Sequence, residues 1–126
     1  MTERAVAEKL KYRPGTNAAL RYAPEGVELG LPADALTGDP AEADFVLVFA
    51  STQAEAEERI SALAPTIRKK TAAWVGYPKG PKAAGRDLDR DTIARFAPTV
   101  GLVLIANFSI DDTWSAVRMR PLRPGE

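Results

Sequence analysis

The chain lacks two residue types on which much enzyme chemistry depends. Its 126 residues include neither cysteine nor histidine. Without cysteine there is no disulfide, thiolate nucleophile or cysteine-based zinc site. Without histidine there is no serine–histidine relay, imidazole base or histidine metal ligand. Chemistry is then restricted to carboxylates, lysines, tyrosines or positioning, so the composition favours a binding protein over an enzyme, and we expect no metal site.

A long hydrophobic run is also missing. No apolar stretch approaches the roughly 18–20 residues that a membrane span needs, and Glu3, Arg4, Glu8 and Lys9 lie where a signal peptide would be apolar. We therefore expect a cytoplasmic protein that does not bind membranes. The length predicts one domain, residues 1–126, with a single core.

The charges balance overall but are unevenly distributed. Residues 1–63 hold 6 Lys/Arg against 11 Asp/Glu, and residues 64–126 hold 11 against 6. The two halves either attract each other and expose ordinary solvated faces, or present a basic patch to an anionic partner. A nucleic-acid partner would call for a more basic chain with exposed aromatic residues, so the sequence argues against one.

Hydrophobic patterns alternate between strands and helices. The run Phe45–Ala50 is apolar at both parities, which is typical of a strand covered on both faces. Ser51 or Thr52 precedes a helix that begins near Gln53. Further helices are predicted over Glu3–Leu10 and Asp89–Ala97, and further strands over Asn17–Tyr22, Thr71–Tyr77, Val100–Phe108 and Thr113–Arg120.

The connections set the expected topology. The link from Ser109 to Asp112 is too short for a crossover, so the last strand must return antiparallel. The other connections allow right-handed crossovers. The sequence therefore predicts an α/β fold with three layers and a mostly parallel sheet of about five strands that ends in an antiparallel hairpin.

This order of elements resembles the second half of the Rossmann-like fold of class I methyltransferases. In that fold the final strand inserts between its two predecessors, which implies the order 17–22, 45–50, 71–77, 113–120, 100–108 across the sheet. The chain also resembles a bacterial family of small proteins of unknown function, through the segments Lys9–Gly15, Trp74–Gly80, Asp87–Asp91 and Ile110–Ser115.

The methyltransferase resemblance implies a cofactor loop after the first strand, and here the sequence departs from it. Ala23-Pro24-Glu25-Gly26 holds a single glycine where that family has several. Only about 18 residues lead from Gly26 to Asp44, too few for two crossover helices and two strands. Ala50-Ser51-Thr52 replaces the substrate-side proline motif. The resemblance therefore implies a truncated fold, and we expect no cofactor.

Polar residues gather at one predicted edge of the sheet. Ligands of open α/β sheets bind beyond the carboxyl ends of the strands, where Tyr77, Lys79, Asp111, Asp112 and Trp114 are expected to converge. They form a shallow ligand-binding rim, or they have structural roles. In the structural alternative Asp111 and Asp112 bond their own turn, Lys79 pairs with one of them, and the aromatic residues belong to the core.

Arg118 and Arg120 share a strand face with Trp114 and Ala116. They are either ordinary strand-end charges or part of an uncovered flank that a partner or a second copy contacts. The leading hypothesis is a small non-catalytic binding or regulatory module that acts through a protein partner or as a homodimer. The alternative is a degenerate S-adenosylmethionine-dependent methyltransferase-like protein, or a small-anion-binding protein, that uses the rim around Tyr77, Lys79 and Asp112.

Overall fold

The computed structural model describes residues 6–13, 15–31, 35–37, 39–68, 70–79 and 87–125. Five strands form one sheet: β1 Ala18–Arg21, β2 Phe45–Phe49, β3 Ala72–Pro78, β4 Leu102–Ser109 and β5 Trp114–Pro121. The α-helices of these ranges are α1 Val6–Lys9, α2 Gln53–Leu63 and α3 Arg90–Phe96. The predicted start of the first helix at Glu3 lies outside the described residues.

The strand order is β1-β2-β3-β5-β4, as the topology predicted. β1 pairs with β2, and β2 with β3, in parallel, whereas β5 is antiparallel to both β3 and β4. The C-terminal hairpin is therefore confirmed. The sheet is mixed, with parallel and antiparallel pairings equally represented, so the prediction of a mostly parallel sheet is not confirmed.

The two faces of the sheet are covered differently. Ala56, Ile60 and Leu63 of α2, with Ile93 of α3, pack on one face. The opposite face holds the large side chains, including Trp74, and is covered by α1 and the irregular chain around Leu29. Because one four-residue helix and a loop cover this face, the predicted three-layer arrangement is not confirmed.

Local capping explains where the helices begin. The Thr52 hydroxyl accepts a hydrogen bond from the Glu55 amide at 3.1 Å and caps α2. Asp89 caps α3, accepting from the Thr92 amide at 2.9 Å, and Thr92 completes a capping box. After α3 the chain turns through Gly101, whose φ of 81° lies in the left-handed region, and enters β4.

The chain between β1 and β2 is short and irregular. Its described residues (22–31, 35–37 and 39–44) include the 3-10 helix Pro40–Glu42 and a parallel bridge from Leu36 to Ala18. They contain no strand beyond that bridge, so the side of β1 away from β2 is nearly bare in the described part of the chain. Among all the residues that the structure describes, no helix has the length and apolar character needed to cross a membrane.

Candidate functional site

The predicted rim residues lie at one end of the sheet. β3 and β4 run in the same direction because both are antiparallel to β5, and they end at the same edge of the sheet with the start of β5 between them. Pro78 pairs with Trp114, and the Lys79 amide donates to the Thr113 carbonyl at 2.8 Å. The convergence of the rim segments is therefore as the topology predicted, and whether they bind a ligand stays a prediction.

Tyr77 and Trp114 point to opposite faces of the sheet. Tyr77 belongs to the core beneath α2 and α3, whereas Trp114 packs on the face that carries Trp74. The Tyr77 hydroxyl donates to Asn107 Oδ1 at 3.3 Å, and the Ser115 hydroxyl donates to the same oxygen at 3.1 Å. Because the sheet separates the two aromatic side chains, the five rim residues do not line one pocket.

The two acidic residues of the rim, Asp111 and Asp112, differ in their surroundings. Asp111 Oδ1 accepts from the amides of Thr113 and Trp114, both at 2.8 Å, and so closes the turn between β4 and β5. Asp112 is exposed, and no group within the described ranges donates to its carboxylate. The Lys79 Nζ bonds the Ser109 hydroxyl at 2.5 Å.

Aromatic side chains fill the face of the sheet next to the rim. The Phe49 ring meets Trp114 edge to face, with centroids 5.3 Å apart. Trp74 is fully buried, and its Nε1 donates to the Leu10 carbonyl at 2.7 Å. The ring centroids of Trp74 and Phe108 lie 5.9 Å apart. These contacts make Trp74 a core residue and leave Phe108, which is 42% exposed, at the border of the covered area.

At the ends of β1 and β2, Arg59 of α2 occupies the space above the strands. Its guanidinium stacks 3.8 Å above the exposed Tyr22 ring, donates to the Phe49 carbonyl at 2.7 Å and pairs with Glu55 at 3.5 Å. The methyltransferase resemblance assigns this edge to the cofactor loop. Neither Arg59 nor Asn107 was predicted from the sequence. The signal for Arg59 was its spacing of four residues from Glu55, which places the two side chains on one face of a helix.

The two arginines predicted as a partner surface have different surroundings. Arg118 is half-buried on the face that carries Trp74 and lines an open pocket against the N-terminal segment. Arg120 donates to the carbonyl of Pro121 at 3.0 Å. Their shared strand face is as predicted, and a partner for that face stays a prediction. Among the described residues no cluster of three or more acidic side chains could hold a metal ion.

Comparison with known proteins identifies the fold. No family model matches the chain, and no curated protein matches it. Solved structures do match: LepI in complex with SAM at a TM-score of 0.56 and 15% identity, and TnmH at 0.53 and 20%. A structure of LepI in complex with SAH and a substrate analogue matches at 0.52 and 16%. The fold is methyltransferase-like.

These matches cover almost all of this chain and less than half of each neighbour. They span 92%, 93% and 94% of the chain but 38%, 46% and 39% of the three solved chains, respectively. At identities this low the likeness concerns the fold alone. Function has to be argued from the residues of this chain.

Proposed function

We propose that this protein is a non-catalytic binding module that acts through a protein partner. The partner docks on the part of the sheet that the helices leave uncovered. We call this surface the open flank, and define it as the edge strand β4 with Trp114 of β5. The observation that carries the proposal is the exposure of Ile105 and Phe108, at 46% and 42%, on this one strand.

The rim chemistry supports binding rather than catalysis. The Asp111 carboxylate holds a turn, the Tyr77 hydroxyl bonds Asn107, and the Lys79 ammonium bonds Ser109. A general base or nucleophile has to be directed at substrate, whereas these three groups are directed at the protein itself. The chain has no histidine to act as a base and no cysteine to act as a nucleophile in their place.

The open flank has the properties of a contact surface. β4 lies at the end of the sheet, and in the described part of the chain no strand pairs with its outer side. Its eight residues include neither a charge nor a proline, which are two of the devices by which proteins keep edge strands from pairing. The ladder is interrupted at Ile105, where the register with β5 shifts. Ile105, the residue at this shift, is 46% exposed.

A second copy of the chain is the partner that the open flank fits best. In a two-fold contact each β4 meets its own counterpart, so the same surface must complement itself. A strand without charges satisfies that condition, because no like charges are brought together. The chain as a whole has no net charge, so long-range repulsion between copies is also absent.

Analytical ultracentrifugation of a matched pair of variants tests this proposal. Ile105→Lys places a charge on the open flank, and Leu36→Lys places one on the opposite edge, where Leu36 is equally exposed at 46%. We expect the wild type and Leu36→Lys to form dimers and Ile105→Lys to dissociate at least about tenfold more readily, a change of about 1.4 kcal/mol. A wild type that stays monomeric, or two variants that behave alike, would contradict the proposal.

A second candidate function is binding of an S-adenosyl compound, favoured by the LepI structures, which contain SAM or SAH. In this chain Arg59 covers the ends of β1 and β2, and no α-helix lies between these two strands among the described residues. Thermal unfolding with each compound tests this candidate. Free ligand at about 100 times its Kd should stabilise the fold by about 2.7 kcal/mol, and an unchanged Tm would remove the candidate.

A further inference from the structure

A basic pocket lies at the opposite end of the sheet from the rim. It has a volume of about 330 Å³ and opens where β2 and β3 begin, between the strands and the N-terminal segment. We call it the amino-edge pocket. Four cations (Lys11, Arg13, Lys70 and Arg118) line it, and two buried aromatic residues, Tyr12 at 5% exposed and Phe45 at 1%, border it.

The charges of the amino-edge pocket do not cancel. The acidic residues that line it are Glu8 and Asp44. Arg68, which lies outside the lining, pairs with Asp44 at 3.4 Å and also donates to the Ala43 carbonyl at 3.2 Å. Four lining cations therefore face one acid without a described partner, Glu8. Converging positive charge of this kind attracts anions.

Arg118 supplies the second observation. Its Nε is buried and has no hydrogen-bond partner among the described residues. A buried donor without a partner costs free energy, and native proteins rarely leave one. Arg118 lies in register with Trp74 of β3 and Ala106 of β4 on the large-residue face, so its strand neighbours in the sheet offer no side-chain acceptor.

We propose that the amino-edge pocket binds a phosphate monoester of a small organic molecule. In the structure Nε is buried, so the Arg118 side chain has to turn toward the pocket; the edge of the guanidinium that carries Nε then forms paired hydrogen bonds with two oxygens of the phosphate. Lys70, Lys11 and Arg13 neutralise its charge. The accessible edge of Tyr12 contacts the organic part of the ligand.

Phosphate suits the pocket better than a carboxylate does. The lining cations exceed the acids by two, or by three when Asp44 is assigned to Arg68. A phosphate monoester carries about −1.5 to −2 charges at pH 7, whereas a carboxylate carries one. The site is separate from the open flank, so it does not depend on the proposed function.

Isothermal titration calorimetry at low salt tests the proposal with defined probes: inorganic phosphate, ribose 5-phosphate, ribose and acetate. We expect both phosphates to bind, ribose 5-phosphate more tightly because of its organic part, and ribose and acetate to bind far more weakly. Absence of binding by both phosphates would overturn the proposal, and so would binding of ribose or acetate as tight as that of ribose 5-phosphate.

Charge-removing variants locate the site. Arg118→Gln should weaken ribose 5-phosphate binding roughly 10- to 100-fold, which is the range for loss of charge-assisted hydrogen bonds. Lys70→Gln removes an exposed cation of the same pocket and should weaken binding less. Arg95→Gln, on the exposed side of α3, removes equal charge elsewhere and should leave binding unchanged.

The variants also separate a ligand site from a structural role of Arg118. Because Nε has no described partner, Arg118→Gln should unfold at the same Tm as the wild type, or higher, when phosphate is absent. If Arg118→Gln fails to fold, Lys70→Gln decides the question. Unchanged binding in Lys70→Gln, or an equal loss in Arg95→Gln, would overturn the proposal.

Discussion

Substitution of Gly76 by alanine tests how the aromatic cluster beside the rim is packed. Gly76 lies in the middle of β3, where it is fully buried. A Cβ added there would come within 2.7 Å of Phe49 Cδ2 and 2.8 Å of Cε2. Phe49 is 1% exposed and its ring lies against Trp114. The ring cannot move away without disturbing Trp114, so the alanine has to strain the cluster.

The expected magnitude follows from two opposing contributions. Overpacking of a buried site by one methyl group costs about 1–3 kcal/mol. Replacement of glycine by alanine reduces the conformational entropy of the unfolded chain and so stabilises the protein by about 0.4–1 kcal/mol. The net loss in the free energy of unfolding should therefore be about 1–2 kcal/mol, or a fall in Tm of about 4 °C per kcal/mol for a chain of this length.

Urea unfolding followed by tryptophan fluorescence measures this loss, and Phe49→Leu provides the control. In the Phe49→Leu background the ring is gone, so Gly76→Ala should cost about 1 kcal/mol less than it does in the wild type. A Gly76→Ala protein as stable as the wild type would refute this reasoning. Strictly additive effects of the two substitutions would also refute it.

Four further substitutions test individual contacts by urea unfolding. Trp74→Phe should cost at least about 1–3 kcal/mol, because the Leu10 carbonyl loses its buried donor; an unchanged stability would contradict that bond. Asp89→Ala should cost about 0.5–2 kcal/mol through loss of the helix cap, and a smaller effect would mean that α3 does not need it. Asp111→Ala should cost about 1 kcal/mol by opening the turn, whereas Asp112→Ala should change stability by less than about 0.5 kcal/mol; equal effects would contradict the different roles of the two acids.

The sheet could be predicted from the sequence because connection length limits strand pairing. The tight link from Ser109 to Asp112 requires an antiparallel return, and the buried run at β2 requires cover on both faces. The beginning of α3 near Asp89 was predictable for a similar reason, since a helix start depends on a few consecutive residues. The cover of the second face was predictable only in part. The helix predicted over Glu3–Leu10 contributes to it as α1, whereas the irregular segment around Leu29 has no hydrophobic period.

The candidate site was predictable in place but not in detail. Topology brought Lys79, Asp111 and Trp114 to one edge, but the face on which Tyr77 points depends on strand register. One residue of register reverses the direction of every side chain. The contacts of Arg59 with Tyr22 and of Tyr77 with Asn107 join distant segments through side chains. The sequence contains no periodic signal for such contacts. The amino-edge pocket escaped prediction for the same reason.

Amide hydrogen exchange at low and high protein concentration tests the central claim, that the open flank is the contact surface of the protein, most directly. A strand that pairs with a second copy has its outward amides protected only in the complex. We predict that the β4 amides that point away from β5 exchange more slowly as the concentration rises, while the amides of β1 at the opposite edge do not change. Rapid exchange of those β4 amides at every protein concentration would contradict the account. Rapid exchange of the same amides in a complex with a captured protein partner would contradict it as well.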